Sequence, residues 1–273
     1  MAQLFDRIGF AIFGICACIG VTVSHAETVI VGGTGSALGS IRQLGAAYEK
    51  QNKDFQIKVL PSLGSSGALK GLAERSVDIG LIARPLKDPE KSQGIQATRL
   101  VQTPVVLVTS KRSEKAISGA QIEDLYSGQN KRWPDNSPVR LVLRPLTETD
   151  NQLVSTLTPG MKAALEAAAA RDGLLTALTD QESADALEKL PGSLGLASLS
   201  LVVSEKRKLE VLALNGIAPL ERGKVNLEYP LMKPLYVAAH QDAKPIVRKF
   251  IAYLQSPAGI AVLEKNGYTH AFR

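Results

Sequence analysis

The chain has 273 residues, 45% hydrophobic and 21% charged, with a formal net charge of +6. That length suits one large domain or two lobes of ordinary size, and an aromatic content of 5% leaves the core to Leu, Val, Ile and Ala. The basic residues are scattered and not interleaved with aromatics, which argues against nucleic acid as a partner, while mild basicity suits attraction of anions.

In chain order, the first segment is expected to lie outside the fold. Arg7 precedes an apolar run over residues 8–23, shorter than the roughly 20 residues that span a bilayer. "SHA" at 24–26 then supplies a small-x-small cleavage signal. This reads as a secretory signal peptide over residues 1–26, cut after Ala26, and places the mature protein in the periplasm. A lipid anchor on Cys18 is the weaker alternative, since "ICAC" is a poor attachment box. Cys16 and Cys18 are the two cysteines of the chain, and both precede the cut. The exported protein is therefore expected to carry no disulfide, no thiolate metal site and no thiol nucleophile. His240 and His270 lack ligand spacing, so neither metal nor cofactor is expected.

From residue 27, strand and helix alternate. "TVIV" at 28–31 reads as a strand and "GGTGSALGS" as a loop. The helix after it shows Ile41, Leu44, Gly45 and Tyr48 on one face. "FQIKVL" is a second strand, "PSLGSSG" a break, and a second helix runs through Leu69, Leu72 and Ala73. "VDIGLIA" is a third strand, ending at Arg84. Such βαβαβ units build parallel sheets with right-handed crossovers, and ligands bind beyond the carboxyl ends of the strands. "PVVLVTS" at 104–110 is a strand leaving this lobe. A helix near 121–126 and a strand to Leu143 open a new unit. "MKAALEAAAARDG" is a helix closed by Gly173, and "SLGLASLSL" and "LEVLALNG" read as strands. "YPLMKPLYVAA" returns to the first lobe, and the C-terminal segment is two helices divided at Ser256–Pro257. The chain crosses between lobes twice. Lobe 1 is expected over 27–108 and 233–273, and lobe 2 over 109–232.

Two Gly/Ser/Thr loops open helices at one sheet edge. In "GGTGSALGS" the glycines loosely match a dinucleotide fingerprint, but no ribose-binding acid ends the next strand and no P-loop lysine is present. What remains is a helix start whose backbone N–H groups and dipole suit an anion, or ordinary N-capping by Ser or Thr. "LGSSGALKGL" repeats the device. Arg84 ends the third strand, where a guanidinium suits bidentate oxyanion binding. No nucleophile–base pair is in sight, so a hydrolase is disfavoured and no enzymatic activity is expected.

The order of the Gly/Thr loop, "LGSSGALKGL", "VDIGLIARPLK", "QIEDLYSGQNKRWPDNSPVRLVLRP" and "FIAYLQSPAGIAVLEKNGY" resembles the periplasmic phosphate-binding proteins of ABC transporters. The likeness runs over nearly all of the mature chain. It implies an α/β, two-lobe, type II periplasmic-binding-protein fold, each lobe a mainly parallel sheet flanked by helices, with two crossover strands as the hinge. It also implies an oxyanion in the cleft. Carried over residue by residue, Thr34, Gly35 and Ser36 come to the ligand from the first loop, and Ser65, Ser66 and Gly67 from the second. Arg84 matches relatives with Ser-Arg at that strand end, and Ala83 lacks the hydroxyl or carboxylate usual there. Arg144 matches the family's ligand arginine. The family has Ser-Gly-Thr shortly after it, where this chain has Glu148, Thr149 and Asp150, with Thr147 just before them in the same candidate set.

An ionised acid 4 Å from an anion costs about 1 kcal/mol in water and several at lower dielectric. So Glu148 and Asp150 cannot both be charged and touch a bare oxyanion. One acid can accept a proton of the ligand, one can orient Arg84 or Arg144, or the ligand can carry a donor or cation. Asp150 can also cap the helix that follows, with Thr147 or Thr149 as alternatives. The expected function is that of an exported, monomeric solute-binding protein that delivers phosphate or a related oxyanion to an ABC transporter permease. The alternative is a sensory module of the same fold that signals to a membrane partner.

Overall fold

The structure is a computed structural model that describes residues 26–271. The segment up to residue 25, on which the expected signal peptide and both cysteines fall, lies outside the described residues. The first lobe opens with β1 (Glu27–Gly33), α1 (Gly35–Gln51), β2 (Phe55–Val59), α2 (Gly64–Ala73), β3 (Ile79–Ile82) and the short α3 (Asp88–Lys91). Then β4 (Ile95–Thr109) runs out of it into β5 (Ala116–Ile117), α4 (Gly119–Ser127), β6 (Arg140–Leu143), α5 (Thr149–Val154) and α6 (Met161–Ala169). There follow β7 (Leu175–Thr176), α7 (Asp180–Lys189), β8 (Ser193–Ser198), α8 (Leu199–Ser204), β9 (Glu210–Val211), β10 (Ala213–Leu214), β11 (Leu220–Glu221) and β12 (Lys224–Val225). The chain closes with β13 (Met232–His240), α9 (Pro245–Gln255) and α10 (Pro257–Lys265).

One sheet runs through the molecule in the order β2-β1-β3-β13-β4-β8-β6-β7, with β9 also on β4. β1 is parallel to β2 and β3, as βαβ crossovers require. β13 runs antiparallel to both β3 and β4, and β8 antiparallel to the far half of β4. β4 is thus the common rail. Its first half pairs with the returning β13, and its second half carries β8 with its parallel neighbours β6 and β7. Apolar burial follows the same division. One core gathers Val29, Val31, Ile41, Leu81, Leu100, Val101, Leu235 and Phe250, and another gathers Val105, Leu107, Ile122, Leu141, Leu165, Leu187, Leu196 and Leu231. Along β4 the side chains change core between Val101 and Val105.

Local chemistry explains several boundaries. α4 is started by a capping box on Ser118 and stopped by Gly128 at φ 87°. α10 is capped by Ser256, whose Oγ accepts from Gly259 N–H, and it is followed by Gly267 at φ 79°. Three expectations are corrected. α6 ends at Ala169, and Gly173, at φ 81°, belongs to the turn beyond it rather than to the cap. "SLGLASLSL" is a strand only to Ser198 and then turns into α8. Its residues are buried throughout, and a continuous apolar run does not distinguish strand from helix. "LEVLALNG" makes two short strands, one on each side of the fully buried Leu212.

Candidate functional site

β1 delivers the first loop. Thr34 N–H donates to Leu81 O at 2.9 Å, which ties the loop to the end of β3. Thr34 is the N-cap of α1, but its hydroxyl meets Ser36 Oγ at 3.0 Å and caps no backbone N–H. α2 likewise begins without a side-chain cap. Ser65, in its first turn, accepts from Ala83 N–H at 2.9 Å, which leaves the hydroxyl hydrogen as a donor. Ser66 is exposed, and Gly67 is half-buried. Both candidate loops therefore open helices whose N-terminal amides are not capped by their own side chains, unlike α4, α7 and α10.

Arg84 is engaged elsewhere. Its guanidinium grips Glu90 with bonds of 2.7 and 2.8 Å and donates to Pro85 O at 3.1 Å. Glu90 is held below its ordinary carboxylate value, chiefly by the Arg84 bonds.

Arg144 follows β6 and is 8% exposed. Its Nη1 donates to Ala177 O at 3.0 Å, and its Nη2 lies 3.5 Å from both Glu148 Oε2 and Asp180 Oδ1. Asn151 Nδ2 donates to the carbonyls of Arg144 and Pro145 and pins the loop beneath the arginine. Glu148 is the N-cap of α5 but caps nothing with its side chain. Burial pushes its carboxyl up, against Arg144 and Lys233 and with Asp180 and Asp150. Thr147 is exposed and Thr149 half-buried. Asp150 does not cap α5, one of the roles left open to it above. Its carboxylate forms a buried ion pair with Lys233 of β13 at 2.6 Å, which joins α5 to the strand returning to the first lobe.

Asp180 was not singled out by the sequence reading. It is the first residue of α7, a helix set by the Thr179–Glu182 capping box. Its Oδ2 accepts from Ser36 N–H at 3.1 Å, and its Oδ1 lies 3.5 Å from Arg144. One carboxylate thus spans the uncapped start of α1 in one lobe and the buried arginine of the other. Gln181 Nε2 donates to Gly35 O at 3.0 Å beside it. A Cβ on Gly35 would stand 2.7 Å from Asp180 Oδ2, so the close approach of α7 requires glycine there. Ser200 Oγ and Tyr268 OH both donate to Ser36 O and fix the first turn of α1. The signal for Asp180 was present as "TDQE", a capping box that announces a helix start. Nothing local says which neighbour the acid meets. Among the described residues, no group of three or more His, Cys, Asp or Glu side chains could hold a metal ion.

Among curated relatives, the phosphate-binding protein PstS 2 of Streptococcus agalactiae is 27% identical over 110 residues, 40% of this chain. The chain spans only 37% of that relative's length. PstS of Borreliella burgdorferi is 21% identical over 257 residues, 89% of this chain and 90% of the relative. Among solved structures, a Clostridium perfringens protein assigned as a phosphate ABC transporter substrate-binding protein, with bound phosphate, superposes with a TM-score of 0.75 at 18% identity. That superposition covers 90% of this chain and all of the other. The periplasmic molybdate-binding protein of Azotobacter vinelandii gives a TM-score of 0.63 at 14% identity, covering 89% of this chain and 100% of its own. At such identities the likeness is one of fold, the two-lobed type II periplasmic-binding-protein architecture. The model of the PBP superfamily domain matches residues 22–258, and the chain belongs to that superfamily.

Proposed function

We propose that this is an exported solute-binding protein that captures phosphate or a related oxyanion between its lobes and delivers it to an ABC transporter permease. It binds; it does not catalyse. The observation that carries the reading is the convergence of Ser36 N–H from one lobe and Arg144 from the other on a single carboxylate. A helix start and a guanidinium are the donors an oxyanion needs, and here they face each other across the lobes. Thr34, Gly35 and Ser36 line one side. Ser65, Ser66 and Gly67 offer a second helix start. Arg144, Thr147, Glu148, Thr149 and Asp150 belong to the opposite lobe. Arg84, engaged by Glu90, acts by shaping the rim. The relatives named as phosphate-binding favour phosphate over other oxyanions. A signal peptide ending at Ala26 places the protein in the periplasm, where it works as a monomer.

The test is titration with phosphate, arsenate, sulfate and molybdate, by calorimetry and thermal shift. Phosphate at a hundred times its Kd is expected to stabilise the fold by about 2.7 kcal/mol. Arg144→Lys keeps the charge but loses the planar fork, and is expected to weaken binding at least tenfold. Absence of binding by all four anions would remove the reading.

A further inference from the structure

The donors that would take the ligand are already taken. Ser36 N–H donates to Asp180 Oδ2 at 3.1 Å, and Arg144 stands 3.5 Å from Asp180 Oδ1. The Asp180 side chain is 14% exposed, so little water reaches this contact. Its position is secured from both ends. The Thr179–Glu182 capping box sets the helix that carries it, and Gln181 reaches Gly35 O alongside. A carboxylate and a phosphate oxygen edge accept the same kinds of bond from the same donors.

We propose that Asp180 is an intramolecular competitor of the ligand: its carboxylate fills the anion site, and it sets affinity by having to leave when the oxyanion enters. The inference rests on the oxyanion-binding reading above. Two features favour competition over shared contact. An acid and an anion cannot both accept the one proton of Ser36 N–H at full strength. Two acids, Glu148 and Asp180, already face Arg144 at equal distance, so a further negative group on the same guanidinium meets repulsion from their carboxylates. Asp180 is also well placed to hold the lobes together without ligand, because Ser36 and Arg144 adjoin different cores, next to Ala37 and Leu143. The anion would then replace an existing bridge rather than create one, and affinity would report the difference between the two.

The experiment compares wild type, Asp180→Asn and Asp180→Ala by calorimetry with inorganic phosphate, and by thermal shift with formate. Removing the charge is expected to tighten phosphate at least tenfold. Asp180→Ala, which empties the side-chain space, is expected to be stabilised by millimolar formate that leaves wild type unmoved, because free formate restores the tethered carboxylate. Phosphate affinity unchanged within twofold, or weakened, in variants that still melt cooperatively would overturn the inference while sparing the binding function. Formate rescue with no phosphate binding to any of the three proteins would keep the carboxylate's role and reject phosphate as the ligand. If neither anion acts on any of them, the inference falls, and the four-anion titration decides the binding function on its own.

Discussion

Five ionisable side chains form one group, two of them cationic (Arg144 and Lys233) and three acidic (Glu148, Asp150 and Asp180). Asp150 is neutralised by Lys233, and Asp180 is shared between Arg144 and Ser36 N–H. Glu148 is left with Arg144 at 3.5 Å and no closer partner, and burial raises its carboxyl above the ordinary 4.5. A raised acid binds its proton more tightly folded than unfolded. Its contribution to stability is therefore present at low pH and is lost as pH rises through the raised value. Glu148→Gln is accordingly expected to melt at a slightly higher temperature than wild type at pH 7, the gap closing towards pH 4. The effect is small because the side chain is 37% exposed and Arg144 opposes it. Melting curves between pH 4 and 8 check this, and a gap that does not close would show that burial of the charge is not the cause. The buried Asp150–Lys233 pair has the opposite character. Neither partner can be removed without stranding the other charge, which suits a fixed joint between α5 and β13.

At the scale of the element, α7 decides whether Asp180 arrives. Its first turn depends on Thr179, whose Oγ1 accepts from Glu182 N–H at 3.1 Å while Glu182 Oε2 accepts from Thr179 N–H. Thr179→Ala is expected to cost about 1 kcal/mol in urea unfolding. A loss well under half that would mean that tertiary contacts, not the cap, hold the helix start. α1 and α2 present the complementary case. Their first turns carry no acid and no side-chain cap, so their amides remain open to a group from elsewhere in the fold or from solution.

Across the whole molecule, closure rests on contacts between α1 and the elements of the other core. Besides Asp180 and Gln181, α8 packs along α1, with Gln43 Nε2 donating to Ser204 O at 3.1 Å. Gly39 permits this. A Cβ there would collide with Ser204 Oγ and stand 2.9 Å from Glu205 Cγ. Gly39→Leu raises helix propensity but wedges the lobes, and is expected to give a larger radius of gyration in small-angle scattering. An unchanged radius would show that closure does not pass through this contact. Hinge motion needs few residues, and β4 runs from one core into the other while the chain returns through Leu231 into β13.

By itself the sequence determined the alternation of strands and helices in the first lobe, the two Gly/Ser/Thr helix starts and the place of Arg144 straight after an apolar strand. Those features are written in short-range patterns: period 2 or 3.6, glycine where the backbone turns, and an apolar run before a charge. The tertiary structure alone decided which charges meet. Arg84 and Arg144 are the same residue type at the ends of comparable strands, yet one is claimed by Glu90, six residues away, and the other faces Asp180, thirty-six residues on. For Asp150 the sequence left capping, a place beside an arginine and contact with the ligand all open, and the partner it meets is Lys233, from a strand eighty-three residues later. Electrostatic partners are chosen by distance in space, and in a fold whose chain crosses twice between lobes, distance along the sequence carries almost none of that information.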